Sequence, residues 1–219
     1  MSVIASYLEH TILKPDCTLN EVRRVCEEAL QHGFAAVCIP PFFVRDARRF
    51  LGEEKAPRLA TVVGFPLGYN AIAAKSEEIR RATEDGADDI DAVINIAALK
   101  SGNWNHVRHD IDGLSRATHM RGRTLKLILE CGLLTADEIR QVAQIAREFN
   151  VAFLKTGTGF NGFPATVDMV RQLRQLTSAD MRIKAAGGIR TRALAEALIA
   201  AGADRIGTSA SLTIIAEPG

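Results

Sequence analysis

The 219 residues carry almost no net charge, with 27 lysines and arginines against 26 aspartates and glutamates. A nucleic-acid-binding domain shows itself by a basic surplus, and none exists here, so any phosphate contact has to be local. Cysteine is scarce: Cys17, Cys26, Cys38 and Cys131 form no C-x-x-C pair. Most lie in apolar segments where a reduced thiol serves as a small hydrophobe, which points to a reducing cytoplasm. Long hydrophobic runs are missing as well. No apolar stretch approaches the ~20 residues of a membrane span, and the N-terminus lacks the basic-then-apolar pattern of a secretory leader. A soluble, unexported protein with no membrane or nucleic-acid partner is expected. The five histidines, His10, His32, His106, His109 and His119, make neither H-x-H nor H-E-x-x-H. That disfavours a metal-dependent aldolase or hydrolase, so no metal is expected, and His106 and His109 are expected on an exposed helix face. Lysine is also rare, seven residues beside twenty arginines, so the position of each lysine is informative.

What is present is alternation. Short β-rich runs at Ala35 to Ile39, Leu59 to Phe65, Ile90 to Asn95, Leu125 to Glu130, Val151 to Lys155, Arg182 to Ala186 and Arg205 to Thr208 are separated by amphipathic helical segments. An eighth strand is expected at Tyr7 to Leu13, although Glu9 and His10 interrupt it. Thr18-Leu19-Asn20-Glu21 and Thr135-Ala136-Asp137-Glu138 fit the capping box that opens a helix. Gly33, Gly86 and Gly202 stand where helices stop, and Gly86-Ala87-Asp88 is echoed by Gly202-Ala203-Asp204. Strand and helix alternating about eight times without a linker predicts an α/β protein, a single-domain (β/α)8 TIM barrel over residues 1–219. A Rossmann sheet is disfavoured because no G-x-G-x-x-G opens the first helix.

Two of the lysines end such strands. Lys155 closes Val151-Ala152-Phe153-Leu154 before Thr156-Gly157-Thr158-Gly159, and Lys184 lies in Ile183-Lys184-Ala185-Ala186-Gly187-Gly188. In a parallel barrel both would face one pocket, where two ammonium groups ~5 Å apart repel by about 3 kcal/mol at an effective dielectric of ~20. One lysine held neutral would be a nucleophilic amine, the reagent for a Schiff base with a carbonyl compound. The bland alternative is a snorkelling or ion-paired lysine. Asp91, inside the apolar strand Ile90 to Asn95, could hold one lysine protonated and relay protons, or serve only as a structural ion pair. Asp88 and Asp89 are expected in a solvated entry turn. The glycine-rich stretches Gly157-Thr158-Gly159, Gly187-Gly188 and Gly207-Thr208-Ser209 follow the last three strands, where barrels commonly hold a substrate phosphate, and Arg190 and Ser209 could add a charge and a hydroxyl. Lys126, Ile128 and Glu130 alternate on one strand face and could extend a polar network or form a structural ion pair. Gly64-Phe65-Pro66-Leu67-Gly68 is expected to shape the pocket wall.

Taken together, these segments resemble the deoxyribose-phosphate aldolase family of class I aldolases. The likeness runs in order through Glu9-His10-Thr11, Leu13-Lys14-Pro15, Val37-Cys38-Ile39-Pro40, Val63 to Gly68, Asp91 to Ile96, Phe153 to Phe160, Ile183 to Arg190 and Arg205 to Ser209. It implies that Lys155 is the Schiff-base lysine, Lys184 the neighbour that depresses its pKa, and Asp91 the proton relay. It also implies substrate or phosphate contacts at Thr158, Gly159, Gly187, Gly188, Arg190, Gly207, Ser209, Cys38, Glu9 and Thr11. The implied reaction is reversible cleavage of 2-deoxy-D-ribose 5-phosphate to glyceraldehyde 3-phosphate and acetaldehyde, without metal or organic cofactor. The chain departs from the family pattern in Glu9 for aspartate, Gly157 for serine, and the Asn161-Gly162-Phe163-Pro164 loop. Some members use a C-terminal tyrosine in proton transfer, whereas this chain has only Tyr7 and Tyr69 and ends Ala216-Glu217-Pro218-Gly219, so that help is expected from water with Asp91 and Lys184. Three readings stay open at this level: this aldolase, a related Schiff-base aldolase with another phosphorylated acceptor, and a non-catalytic phosphosugar-binding barrel. A homodimer is expected.

Overall fold

Eight short parallel strands follow one another around a ring, each hydrogen-bonded to its neighbour in sequence, and the last closes on the first. The computed structural model describes residues 3–52, 57–177 and 180–218. The strands are β1 (Leu8–Thr11), β2 (Ala36–Ile39), β3 (Arg58–Val63), β4 (Asp89–Val93), β5 (Thr124–Ile128), β6 (Phe153–Lys155), β7 (Arg182–Ala186) and β8 (Arg205–Thr208). Every strand read from the sequence occurs, the interrupted first one included, with ends displaced by two residues at most. The surrounding helices are α1 (Leu19–His32), α2 (Val44–Leu51), α3 (Ile72–Glu84), α4 (Ile96–Lys100), α5 (Trp104–His119), α6 (Ala136–Glu148), α7 (Val167–Leu176), α8 (Arg192–Ala200) and α9 (Ser211–Ala216). This is the (β/α)8 TIM barrel.

Helix ends form for local reasons. Thr18 and Thr135 accept the N–H of Glu21 and Glu138, and each glutamate reaches back to the cap backbone, so both capping boxes are complete. Gly33 ends α1 at φ 67°, a backbone conformation that penalises a Cβ. The echoed Gly-Ala-Asp segments turn out to be one device used twice, four strands apart. Arg48 donates to Gly86 O at 2.9 Å and to Asp88, whose carboxylate also accepts the Leu59 N–H at 3.0 Å. Arg174 repeats this with Gly202 O at 2.9 Å and Asp204 at 2.7 Å, and Asp204 accepts the Ile183 N–H at 2.8 Å. Each aspartate thus ties a strand start to the helix layer.

Strand alternation separates two buried compartments. Outward residues such as Val37, Leu59, Ile90, Leu127, Leu154 and Ile206 pack under the helices in one continuous apolar core. Inward residues form a small apolar group, Cys38, Ala60 and Val62 with Leu13 and Phe65 against it, and beside it a charged group. An apolar outer layer stabilises the barrel, so its centre is free to carry ionised side chains at a local cost.

Candidate active site

Inward alternation brings Glu9 of β1, Asp89 and Asp91 of β4, Lys126 of β5, Lys155 of β6 and Lys184 of β7 into the barrel's interior, all of them buried. Register places Lys155 opposite Lys184 and Asp91 opposite Lys126 on paired strands. Lys155 Nζ donates to Asp91 Oδ2 at 2.8 Å, and Lys184 Nζ donates to the same oxygen at 2.7 Å. The two nitrogens therefore lie no further apart than the sum of those bonds. Lys184 also pairs with Glu9 Oε2. Below them Lys126 Nζ meets Glu9 Oε1 at 2.8 Å, Asp89 Oδ2 at 2.8 Å and Asp91 Oδ1 at 3.4 Å.

Three carboxylates thus face three amines, and burial in a low-dielectric centre is tolerable because each charge has a partner. Burial opposes ionisation of Asp91, but Lys126, Lys155 and Lys184 outweigh it and hold its carboxyl below the usual range. Burial likewise opposes the Lys184 ammonium, yet Asp91 and Glu9 prevail and raise its pKa, so Lys184 stays charged. Lys126 is raised in the same way, burial being overcome by Asp89, Asp91 and Glu9. The expected bare repulsion between two lysines is therefore modified: a carboxylate oxygen stands between them. Asp89 corrects the sequence reading outright. It is buried rather than solvated, held by Lys126 and by Arg58 Nε at 2.9 Å, because it begins β4 facing inward. Asp88 does remain at the edge, paired with Arg48 and Arg123.

Above this network opens a cavity of about 800 Å³ at the carboxyl ends of the strands, reached by Lys155 and Lys184 and walled by the loops after β1, β6, β7 and β8. Thr11, Thr158, Gly159, Gly187, Gly188, Arg190, Gly207 and Ser209 all line it. Among the described residues the main-chain N–H groups of Gly159, Gly188 and Ser209 meet no protein acceptor. Three such amides on adjoining loops suit an anion. Gly207 leaves room for the Lys184 stem, since a Cβ there would lie 2.9 Å from Lys184 Cε and displace it.

Other expected contacts sit elsewhere. Glu9 and Cys38 are fully buried and outside the cavity lining: Glu9 belongs to the lysine network beneath it, and Cys38 to the inner apolar group, where burial pushes its thiol up. Thr158 lines the cavity, but its N–H and hydroxyl both go to Glu130. Gly157 does not line the cavity and instead leaves room for the Glu130 carboxylate, 2.5 Å from where its Cβ would be. Lys126 joins the interior network, whereas Glu130 sits apart from it. His109 is exposed, but His106 is half-buried against the Asn95 side chain at 3.2 Å. Residues Gly64 to Gly68 shape the wall indirectly, with Phe65 meeting Phe160 edge-on at 5.1 Å. The Glu9–Lys126 link was missed in the sequence. Its only signals were a charged residue at an inward strand position in each case, and neither shows which partner closure will bring.

Fold and site together define a (β/α)8-barrel enzyme whose equipment is amine and carboxylate at the carboxyl end of the barrel. A family model described as DeoC/LacD family aldolase matches residues 4–216. The deoxyribose-phosphate aldolase of Thermococcus gammatolerans is 45% identical over 213 residues, 97% of this chain and 95% of its own. That of Staphylococcus carnosus is 41% identical over 96% and 94%. A putative deoxyribose-phosphate aldolase from Coccidioides immitis superposes with a TM-score of 0.92 at 32% identity, covering 98% of this chain and 86% of that one. A tetrameric deoxyribose phosphate aldolase from Aeropyrum pernix superposes at 0.87 and 28% identity, over 97% and 89%. The chain belongs to the DeoC/LacD aldolase family.

Proposed function

We propose that the protein reversibly cleaves 2-deoxy-D-ribose 5-phosphate to D-glyceraldehyde 3-phosphate and acetaldehyde through an imine on Lys155. The observation that carries this reading is the pair of bonds from Lys155 and Lys184 to one oxygen of Asp91. Lys155, the lysine nearest the solvent of the three, attacks C1 of the open-chain sugar as a free amine, and loss of water from the carbinolamine gives the protonated imine. A base takes the proton of the C3 hydroxyl, the C2–C3 bond breaks, and its electron pair enters the enamine while glyceraldehyde 3-phosphate departs. Protonation at C2 and hydrolysis release acetaldehyde and regenerate the amine. Asp91 with Lys184 passes the protons, directly or through water, because both amines share its oxygen. The free amides of Gly159, Gly188 and Ser209, with Arg190, take the phosphate.

No metal or organic cofactor enters these steps. The four cysteines are free thiols, in keeping with a reducing cytoplasm. Among the described residues no helix is long and apolar enough to cross a membrane. We place the protein in solution as a homodimer, a state that light scattering distinguishes from the tetramer named for the Aeropyrum pernix relative. The test of the reaction is borohydride reduction in the presence of acetaldehyde. A stable two-carbon adduct on Lys155 is expected, and a wild-type protein that remains unlabelled would refute the mechanism.

A further inference from the structure

Glu130 follows β5 at φ 57°, a left-handed conformation strained for a residue with a side chain, and its carboxylate is buried. No cation pairs with it among the described residues. It accepts instead three neutral donors from the loop after Lys155: the Thr158 N–H at 3.2 Å, the Thr158 hydroxyl at 2.5 Å and the Asn161 side-chain amide at 2.7 Å. A buried carboxylate satisfied only by one loop fixes that loop firmly, because every donor withdrawn leaves charge unsolvated. The consequences run toward the cavity. The Thr158 hydroxyl accepts the Phe160 N–H at 3.1 Å, so the amides on either side of Gly159 are both engaged. The Gly159 N–H remains without a protein acceptor, and the Gly159 backbone packs on Gly187, 3.5 Å from where its Cβ would stand. Asn161 reaches the carboxylate for which Gly157 makes room.

We propose that Glu130, gripped by Asn161, is a positioning residue that holds the Thr158–Phe160 loop in its anion-binding form and so governs affinity for the phosphate end of the substrate. The inference rests on the aldolase reading and deepens it: Glu130 touches neither the reacting carbons nor the lysine pair, and acts through Gly159. A loop fixed this way contributes to binding of the phosphorylated sugar, while imine chemistry at Lys155 depends on the separate network around Asp91.

The experiment compares KM for 2-deoxyribose 5-phosphate and for unphosphorylated 2-deoxyribose in the full chain and in Glu130→Gln, Asn161→Ala and the double variant Glu130→Gln/Asn161→Asp. The Thr158 N–H, the Thr158 hydroxyl and the Asn161 amide all meet at Oε2, where glutamine offers a neutral amide oxygen in place of a carboxylate, and loss of the charge assistance is expected to raise KM for the phosphosugar about tenfold. KM for the unphosphorylated sugar is expected to stay within about twofold, a split that simple destabilisation would not produce. In the double variant the glutamine can donate to the new carboxylate, and recovery of most of the phosphate preference is expected. Asn161→Ala, in a half-buried loop position, gives the same readout if Glu130→Gln does not fold. KM values rising equally for both sugars, or phosphosugar KM unchanged in the folded variants, would overturn the proposal. Acetaldehyde labelling of Lys155 in the same preparations separates the two levels: an unlabelled wild type overturns the aldolase reading, whereas labelled protein with unaltered preference overturns only the clamp.

Discussion

Replacing Asp91 with Asn removes one negative charge from the point where Lys155 and Lys184 meet, and changes no volume. In the wild type Asp91 Oδ2 accepts from both amines and Oδ1 faces Lys126, so the substitution leaves three buried lysines with two interior carboxylates, Glu9 and Asp89. Breaking a buried ion pair from one side costs about 3–5 kcal/mol, because the remaining charge has no solvent to turn to. For a chain of this size each kcal/mol moves the melting temperature by roughly 2–4 °C, so a fall of about 6–20 °C is expected at neutral pH. The sign of the pH dependence follows from the direction of the shifts. Asp91 is held below its ordinary range in the fold, so its share of stability is present above about pH 4 and is lost as pH falls through the depressed value. Lys184 is raised, so its share is present below about pH 10 and is lost as pH climbs through the elevated value. The deficit of Asp91→Asn is therefore expected to be widest between those limits and to narrow toward both.

The same substitution tests function independently of stability. Exchange of acetaldehyde methyl protons into deuterated water, followed by NMR below the lower melting temperature, reports the enamine step. It is expected to slow by about 10²- to 10⁴-fold, the usual worth of a positioned acid–base group, while borohydride still traps the imine. Unchanged melting would refute the charge argument. Reduced melting with undiminished exchange would refute the relay and leave Asp91 as a structural counter-charge.

Two further outcomes follow from the packing. Gly207→Ala would set a methyl group 2.9 Å from Lys184 Cε and 3.1 Å from Ala186 Cβ, and the displaced ammonium is expected to lower kcat about tenfold at a stability cost of roughly 1–3 kcal/mol; wild-type turnover would show that Lys184 needs no fixed position. Lys75, fully buried, joins Asp110 Oδ2 at 2.7 Å to Gly68 O and Val93 O, both at 3.1 Å, and so anchors the turn that carries Phe65. Lys75→Met alone is expected to cost about 3–5 kcal/mol in urea unfolding, and Lys75→Met with Asp110→Leu markedly less, since no unpaired charge remains; simply additive losses would refute that account.

Much of the architecture was legible because the signals are local. Strand positions, capping threonines at positions 18 and 135 and glycines at helix ends depend on neighbours a few residues away, and all were found where the pattern put them, the strand ends to within two residues. Lys155 and Lys184 were visible for a similar reason, each standing beside its own glycine-rich loop. The partners were harder. Asp89 looked like part of an acidic turn, and only its inward position at the start of β4 made it a buried counter-charge for Lys126. Glu9 looked like a substrate contact near a cavity it does not line, and is shared instead between Lys126 and Lys184. Glu130 gave no sign of reaching Thr158 and Asn161 across the next loop.

By itself the order of residues determined the alternating elements, the inward or outward sense of most strand positions, and the two lysines that reach the cavity. Those follow from short-range geometry, the period of two along a strand and the hydrogen bonding of helix ends. Tertiary closure alone decided which charges neutralise which. Paired strands already set Asp91 beside Lys126 and Lys155 beside Lys184, but Glu9 meets Lys126 and Lys184, and Asp91 meets Lys155 and Lys184, only when the sheet curls and joins β8 to β1, and in that low-dielectric centre proximity sets both the protonation of an amine and the cost of leaving it unpaired.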